Sequence, residues 1–268
     1  MSWALLPIYF AIGGIVGFLA GLLGVGGSMS MIPLLALIFT HEGFAPEHVL
    51  HIAVATSMAT IIFTSISSVR AHARHDAVLW PVALKLAPGI LVGSLVGPQI
   101  VGLMSTAVLA YVFAVFATYT AIRLLWDQKA KPTRELPGTK GLVAVGAGIG
   151  LLSSMVGAGG AFISVPFMTA CNVKIQKAIG TSSALGLPIA VAGTIGFLIA
   201  GLRQTGLPSY SFGYIYFPAL LGISSASIVS APMGAKLAHQ WPIAHLRRAF
   251  AALLLVIALS FFWKAWTT

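Results

Sequence analysis

The chain has 268 residues, 58% of them hydrophobic and only 7% charged, with a formal net charge of +10. A soluble domain carries roughly a quarter charged residues, and a mean hydropathy of +0.98 excludes one here. Lys and Arg gather at the ends of apolar runs rather than on one basic face, which argues for membrane orientation and against nucleic-acid binding.

Met1 to Pro7 carries no Lys or Arg, so the first apolar run lacks the basic start of a signal peptide and reads as part of the mature protein. That run extends from about Ala4 to Thr40. As one helix it would be roughly 54 Å long, against a hydrocarbon core of about 30 Å. The break Gly24-Val-Gly-Gly27 falls inside it. The expectation is a hairpin of Leu5–Leu23, a turn at Gly24–Gly27 and a short, re-entrant arm at Ser28–Phe39. Spans follow at Val49–Val69, Trp80–Met104 and Ala107–Trp126. Residues 127–140 are polar and divide the chain. The second half then repeats the order, with a hairpin of Gly141–Met155 and Phe162–Ala170. Its spans are Ala178–Gly201, Phe212–Leu237 and Ile243–Lys264. The single cysteine, Cys171, permits no internal disulfide.

The halves echo each other. Gly24, Gly26, Gly27 and Pro33 recur as Gly157, Gly159, Gly160 and Pro166, each 133 positions on (157−24, for example). Ala55-Thr56-Ser57 recurs as Gly180-Thr181-Ser182, and Pro98 as Pro232. The fold class is therefore an all-α integral membrane protein of two inverted repeats in one domain. Repeat 1 is 4–126, the linker 127–140 and repeat 2 141–264, each repeat a broken-helix hairpin plus three transmembrane helices. Charge favours inversion. Five crossings per half place Arg70, Arg74, Lys85, Arg123, Lys129, Lys131, Arg134, Lys140, Lys174, Lys177, Lys236, Arg247 and Arg248 inside, leaving Arg203 and Lys264 outside. Four crossings would move Lys174, Lys177, Lys236, Arg247 and Arg248 outside.

Inverted repeats with interrupted helices are the architecture of many secondary transporters. A backbone break at membrane depth strands N–H groups that a ligand can satisfy, and a helix start presents its positive pole to an anion. The expected substrate site is Gly24, Gly26, Gly27, Ser28 and Ser30 with Gly157, Gly159, Gly160 and Ala161, joined by Thr56, Ser57, Thr181, Ser182 and Ser183. All five acids, Glu42, Glu47, Asp76, Asp127 and Glu135, lie in or beside loops. A cation carrier would keep a carboxylate inside the membrane, so the substrate is anionic. His51 is the candidate proton-linked group, with protons as the coupling ion. The pattern calls for no metal, cofactor or nucleic acid, and the surroundings are membrane lipid. No His-Glu-x-x-His or paired nucleophile and base occurs, so an intramembrane enzyme is disfavoured. An anion channel for another small anion, or a non-transporting scaffold, competes with the transporter reading.

Gly21-Leu-Leu-Gly-Val-Gly-Gly with Met31-Ile-Pro33, the copy Val156-Gly-Ala-Gly-Gly with Val165-Pro166, and the two Thr-Ser segments resemble the TauE/SafE family of sulfite exporters. The similarity covers nearly the whole chain. It implies a multi-pass permease of the bacterial inner membrane for sulfite, organosulfonates or related sulfur oxyanions. Ser28 and Ala161 stand where many relatives carry another glycine.

Overall fold

The computed structural model describes residues 5–23, 28–125, 135–238 and, near the end of the chain, 251–252, 254–256 and 258–262. It is an all-α membrane protein. The helices are α1 (Leu6–Leu23), α2 (Ser28–His41), α3 (Pro46–Ala73), α4 (Trp80–Gly102), α5 (Thr106–Leu125), α6 (Thr139–Met155), α7 (Ala161–Ala170), α8 (Ile175–Gly201) and α9 (Phe217–Ala238). The described residues of 251–262 are helical as well. Five helices among the described residues are long and apolar enough to cross a membrane: α3, α4, α5, α8 and α9. The ten residues of α7 reach only about 15 Å, half the hydrocarbon thickness.

At the centre α3 and α8 cross in opposite directions. Ser65 of α3 lies against Gly186 of α8, while Met58, earlier on α3, lies against Gly193, later on α8. The flanking helices are exchanged between the halves. α1 runs parallel to α9, with Gly13 against Ile223 and Gly17 against Ser227. α6 runs parallel to α4, with Gly89 against Val143 and Gly97 against Ser154. Small residues permit this approach of main chain to main chain, the usual basis of helix association in lipid. The same exchange joins α9 to α3, where Ser67 Oγ donates to the Ile228 carbonyl at 2.9 Å. It also joins α4 to α8, where Gln99 Nε2 donates to the Gly196 carbonyl at 2.9 Å.

These directions sort the charges. α3 and α9 end, and α4, α6 and α8 begin, at one end of the bundle. Arg70, Arg74, Lys85, Lys140, Lys174, Lys177 and Lys236 all lie towards that end, with Arg123 at the end of α5. The opposite end carries Glu42, Glu47 and Arg203. The packing thus separates the basic residues without reference to a membrane, which is the asymmetry that orients a multi-pass protein.

Two expectations need correction. The apolar run Phe212–Leu237 is not one helix. Ser211–Phe212 (β1) pairs antiparallel with Ile215–Tyr216 (β2), and α9 starts only at Phe217. Gly213 turns the hairpin at φ +54°, a conformation that glycine adopts without steric cost. The span expected at Val49–Val69 begins earlier and ends later. Pro46 opens α3 at a position where its missing N–H costs nothing, and the helix continues to Ala73. Gly24–Gly27 and residues 126–134 and 239–250 lie outside the described residues.

Candidate functional site

The second glycine break is a tight turn between α6 and α7. Gly157 N–H bonds to the Ser154 carbonyl at 3.3 Å and Ala158 N–H to the Ser153 carbonyl at 2.8 Å. Gly157 (φ +62°) and Gly160 (φ +82°) occupy the left-handed region, where a side chain would be strained. Gly160 precedes α7 with no side-chain cap. The N–H groups of Gly159, Gly160, Ala161 and Phe162 make no main-chain hydrogen bond among the described residues. The positive pole of α7 is therefore open at its start. Ala158 and Ala161 are buried, so the turn lies inside the protein and not at its surface.

A small cavity adjoins the turn, lined by Gly159, Ser183 and Gly186 of the second half and Ala20, Thr64, Ser65 and Ser68 of the first. Its volume of about 10 Å³ holds about one water molecule. The lining hydroxyls are buried and differ in how they are satisfied. Thr64 Oγ1 donates to the Thr60 carbonyl at 3.0 Å and Ser183 Oγ to the Ile179 carbonyl at 3.2 Å. Among the described residues Ser68 Oγ has no hydrogen-bond partner, and neither does Ser153 Oγ beside Gly160. A buried hydroxyl without a partner costs about 1–3 kcal/mol; Ser68 faces the cavity, and Ser153 lies beside the turn outside the cavity lining. Among the described residues no carboxylate or ammonium lines the cavity.

The expected site residues fall into groups. Gly157, Gly159, Gly160, Ala161 and Ser183 are brought together at the turn and its cavity. Ser182 Oγ lies 2.7 Å from Ser164 Oγ, fastening α8 to α7. Thr56 and Thr181 do matching work across the halves. Thr56 Oγ1 accepts the N–H of Tyr216, just before α9, at 3.0 Å. Thr181 Oγ1 accepts the N–H of Leu79, just before α4, at 2.8 Å. Ser57 Oγ is fully buried and has no partner among the described residues. Gly24, Gly26 and Gly27 lie outside the described residues, and Ser28 and Ser30 open α2. Ala20, near the end of α1, brings the first hairpin to the cavity.

His51 stands apart, fourteen residues before Ser65 on α3, or about 21 Å along the helix axis. Its Nδ1 is 3.0 Å from the Glu47 carbonyl and its Nε2 is 3.1 Å from the Val101 carbonyl. The ring stacks on Tyr214 at 5.2 Å. A neutral imidazole can donate to only one of those carbonyls, whereas an imidazolium can donate to both. Burial raises the pKa of the Tyr214 phenol.

Thr64, Ser65 and Ser68 were not among the expected residues. Their clustering on α3 is visible in the sequence, but α8 has no matching hydroxyls, so a search for echoes passes over them.

These features define a class: a multi-pass helical membrane protein with a short-armed helical hairpin carried to its core. Residues 9–261 match the family described as "Sulfite exporter TauE/SafE". The chain belongs to that family and is a membrane transporter. It is 32% identical over 255 residues to a "Probable membrane transporter protein" of Haemophilus influenzae, covering 94% of this chain and 96% of the relative. A protein of the same description from Methanocaldococcus jannaschii is 28% identical, covering 95% and 94%. One from Bacillus subtilis is 27% identical, covering 88% and 91%. No solved structure matches the chain.

Proposed function

We propose that the protein carries a small sulfur oxyanion, sulfite or an organosulfonate, across the bacterial inner membrane by alternating access. The anion is held at the Gly157–Gly160 turn by the open N–H groups of α7 and the hydroxyls of Ser68 and Ser153. The observation that carries this reading is that the Ser68 hydroxyl and the uncapped start of α7 after Gly159 face one cavity that has no carboxylate among its described lining residues. The first glycine break supplies the matching pole from the other half. The family description supports the sulfur oxyanion.

The cavity has room for one water, so this conformation is closed and the anion enters in another. The antiparallel course of α3 and α8, counterparts in the Thr-Ser echo, supports two inverted repeats rocking about that crossing. His51 is the proton-linked group: protonation would let it donate to both facing carbonyls and tie α3 to the end of α4.

Uptake into proteoliposomes tests the reading, with sulfite, sulfoacetate, taurine, thiosulfate and sulfate offered with and without a pH gradient. The expected result is saturable flux of one or more sulfur oxyanions, with counterflow. Ser68→Val should raise the half-saturating concentration about tenfold, the discrimination lost with one to two donors. Conductance without saturation or counterflow would favour a channel. No flux of any of the five anions would overturn the reading.

A further inference from the structure

A second crevice lies at the basic end, on a different face of α3 from the hydroxyl cavity. It is lined by Phe63, Ile66, Ser67, Arg70, Ala71 and Arg74 of α3, with Ile228 and Pro232 of α9 alongside, and has a volume of about 320 Å³. At 100° per residue, the centre of these α3 positions lies roughly 140° from the centre of Thr64, Ser65 and Ser68, with Ala71 and Ser67 nearest the boundary between the two faces. No residue lines both.

The crevice is graded along its length. Phe63 and Ile228 are 39% and 43% exposed, which in a spanning segment means exposure to lipid. About two and three turns beyond Phe63, Arg70 and Arg74, the latter capping α3, stand exposed one above the other, four residues apart. Neither has a carboxylate partner among the described residues. Ser67 fixes the floor through its hydrogen bond to the Ile228 carbonyl. Two guanidinium groups on one helix face form a fork suited to the oxygens of one phosphate. The apolar wall beside them suits an acyl chain.

We infer that this crevice is a binding site for an anionic phospholipid of the leaflet at the basic end, with its phosphate on Arg70 and Arg74 and an acyl chain along Phe63, Ile66, Ile228 and Pro232. The occupant is a lipid and not a free anion because the cations and the lipid-exposed apolar wall are continuous. A solute that needed only the cations would gain nothing from the wall. The site is independent of the transported solute. It joins α3, which bears the cavity hydroxyls, to α9, the partner of α1, so the lipid would brace two helices from different halves.

Native mass spectrometry of the full-length protein in detergent, titrated with phosphatidylglycerol, phosphatidylcholine or inorganic phosphate, tests the inference. The expected result is retention of one phosphatidylglycerol at concentrations where phosphatidylcholine is lost, with no displacement by phosphate. Arg70→Gln/Arg74→Gln should weaken that retention tenfold or more. Lys174→Gln/Lys177→Gln, basic residues outside the crevice, should leave it unchanged. If the double arginine variant fails to fold, Arg74→Gln alone, at the exposed end of α3, should weaken retention about threefold. Equal retention of both lipids, displacement by phosphate, or full retention by a folded arginine variant would overturn the site.

Discussion

Thr64, Ser65 and Ser68 line the crossing of α3 and α8 towards the basic end. Their repeat counterparts, 125 positions on as in the Thr56 to Thr181 echo (181−56), are Ile189, Ala190 and Gly193. Ser183 and Gly186 complete the polar side, and their counterparts on α3 are Met58 and Ile61. The cavity lining is therefore polar where its repeat counterparts are hydrocarbon or glycine. Met58, Ile61 and Ile189 are almost wholly buried and stand between the cavity and the end bearing Glu42 and Glu47. The exchanged partners, α1 with α9 and α4 with α6, follow one pattern in both halves. The pocket lining does not, so the polar hollow lies towards the basic end.

The small hydroxyl contacts divide in the same way. Ser164 lies in hydrogen-bond contact with Ser182. The position 133 before Ser164 is Met31 (164−133), and Ser57, counterpart of Ser182, is left without a partner among the described residues. A thioether is at best a weak acceptor. The second half therefore uses its serine pair to fasten a hairpin arm, and Ser57 makes no such contact among the described residues.

The largest effect that would break this comparison comes from the turns. Gly160→Val faces a left-handed φ and the Ile189 side chain, so flux should fall at least a hundredfold with membrane insertion retained. Gly27→Val should do the same if the first turn is equivalent. Normal flux in both, measured in proteoliposomes, would remove the turns from the site. Next in size are the threonines. Thr56→Val and Thr181→Val each strand a buried N–H of the opposite half and should cost about 1–3 kcal/mol apiece, read as matching drops in melting temperature. A drop in only one would show that the exchange of helices is energetically lopsided. The smallest effects are at the serines. Ser182→Ala should cost about 1 kcal/mol by stranding Ser164. Ser57→Ala, which removes an unpartnered hydroxyl, should leave the melting temperature unchanged or raise it. Equal losses in thermal unfolding would mean that Ser57 has a partner in the native membrane.

Much of this was legible in the sequence, for definite reasons. Apolar runs of membrane length and the paired Gly-x-Gly-Gly breaks located the spans and the second turn within a few residues. The Thr-Ser echo correctly singled out a matched pair, but the chemistry of Thr56 and Thr181 lies in the N–H groups of Tyr216 and Leu79, far away in the chain. The β-hairpin escaped because Phe212, Tyr214, Ile215 and Tyr216 read as the start of an apolar helix, and only Gly213 marked the turn. The cavity escaped because it is the part that the two halves do not share.

The exchange of partners has a consequence for how the chain is made. The face of α4 that bears Gly89, Gly93 and Gly97 packs on α6, and α6 is translated only after the whole first half has left the ribosome. Until then α4 sits in lipid with its narrow glycine seam uncovered, and α1 waits longer still for α9. Neither half is finished when its own last helix is inserted, and a chain severed between them would have to be rejoined by co-expression of both pieces.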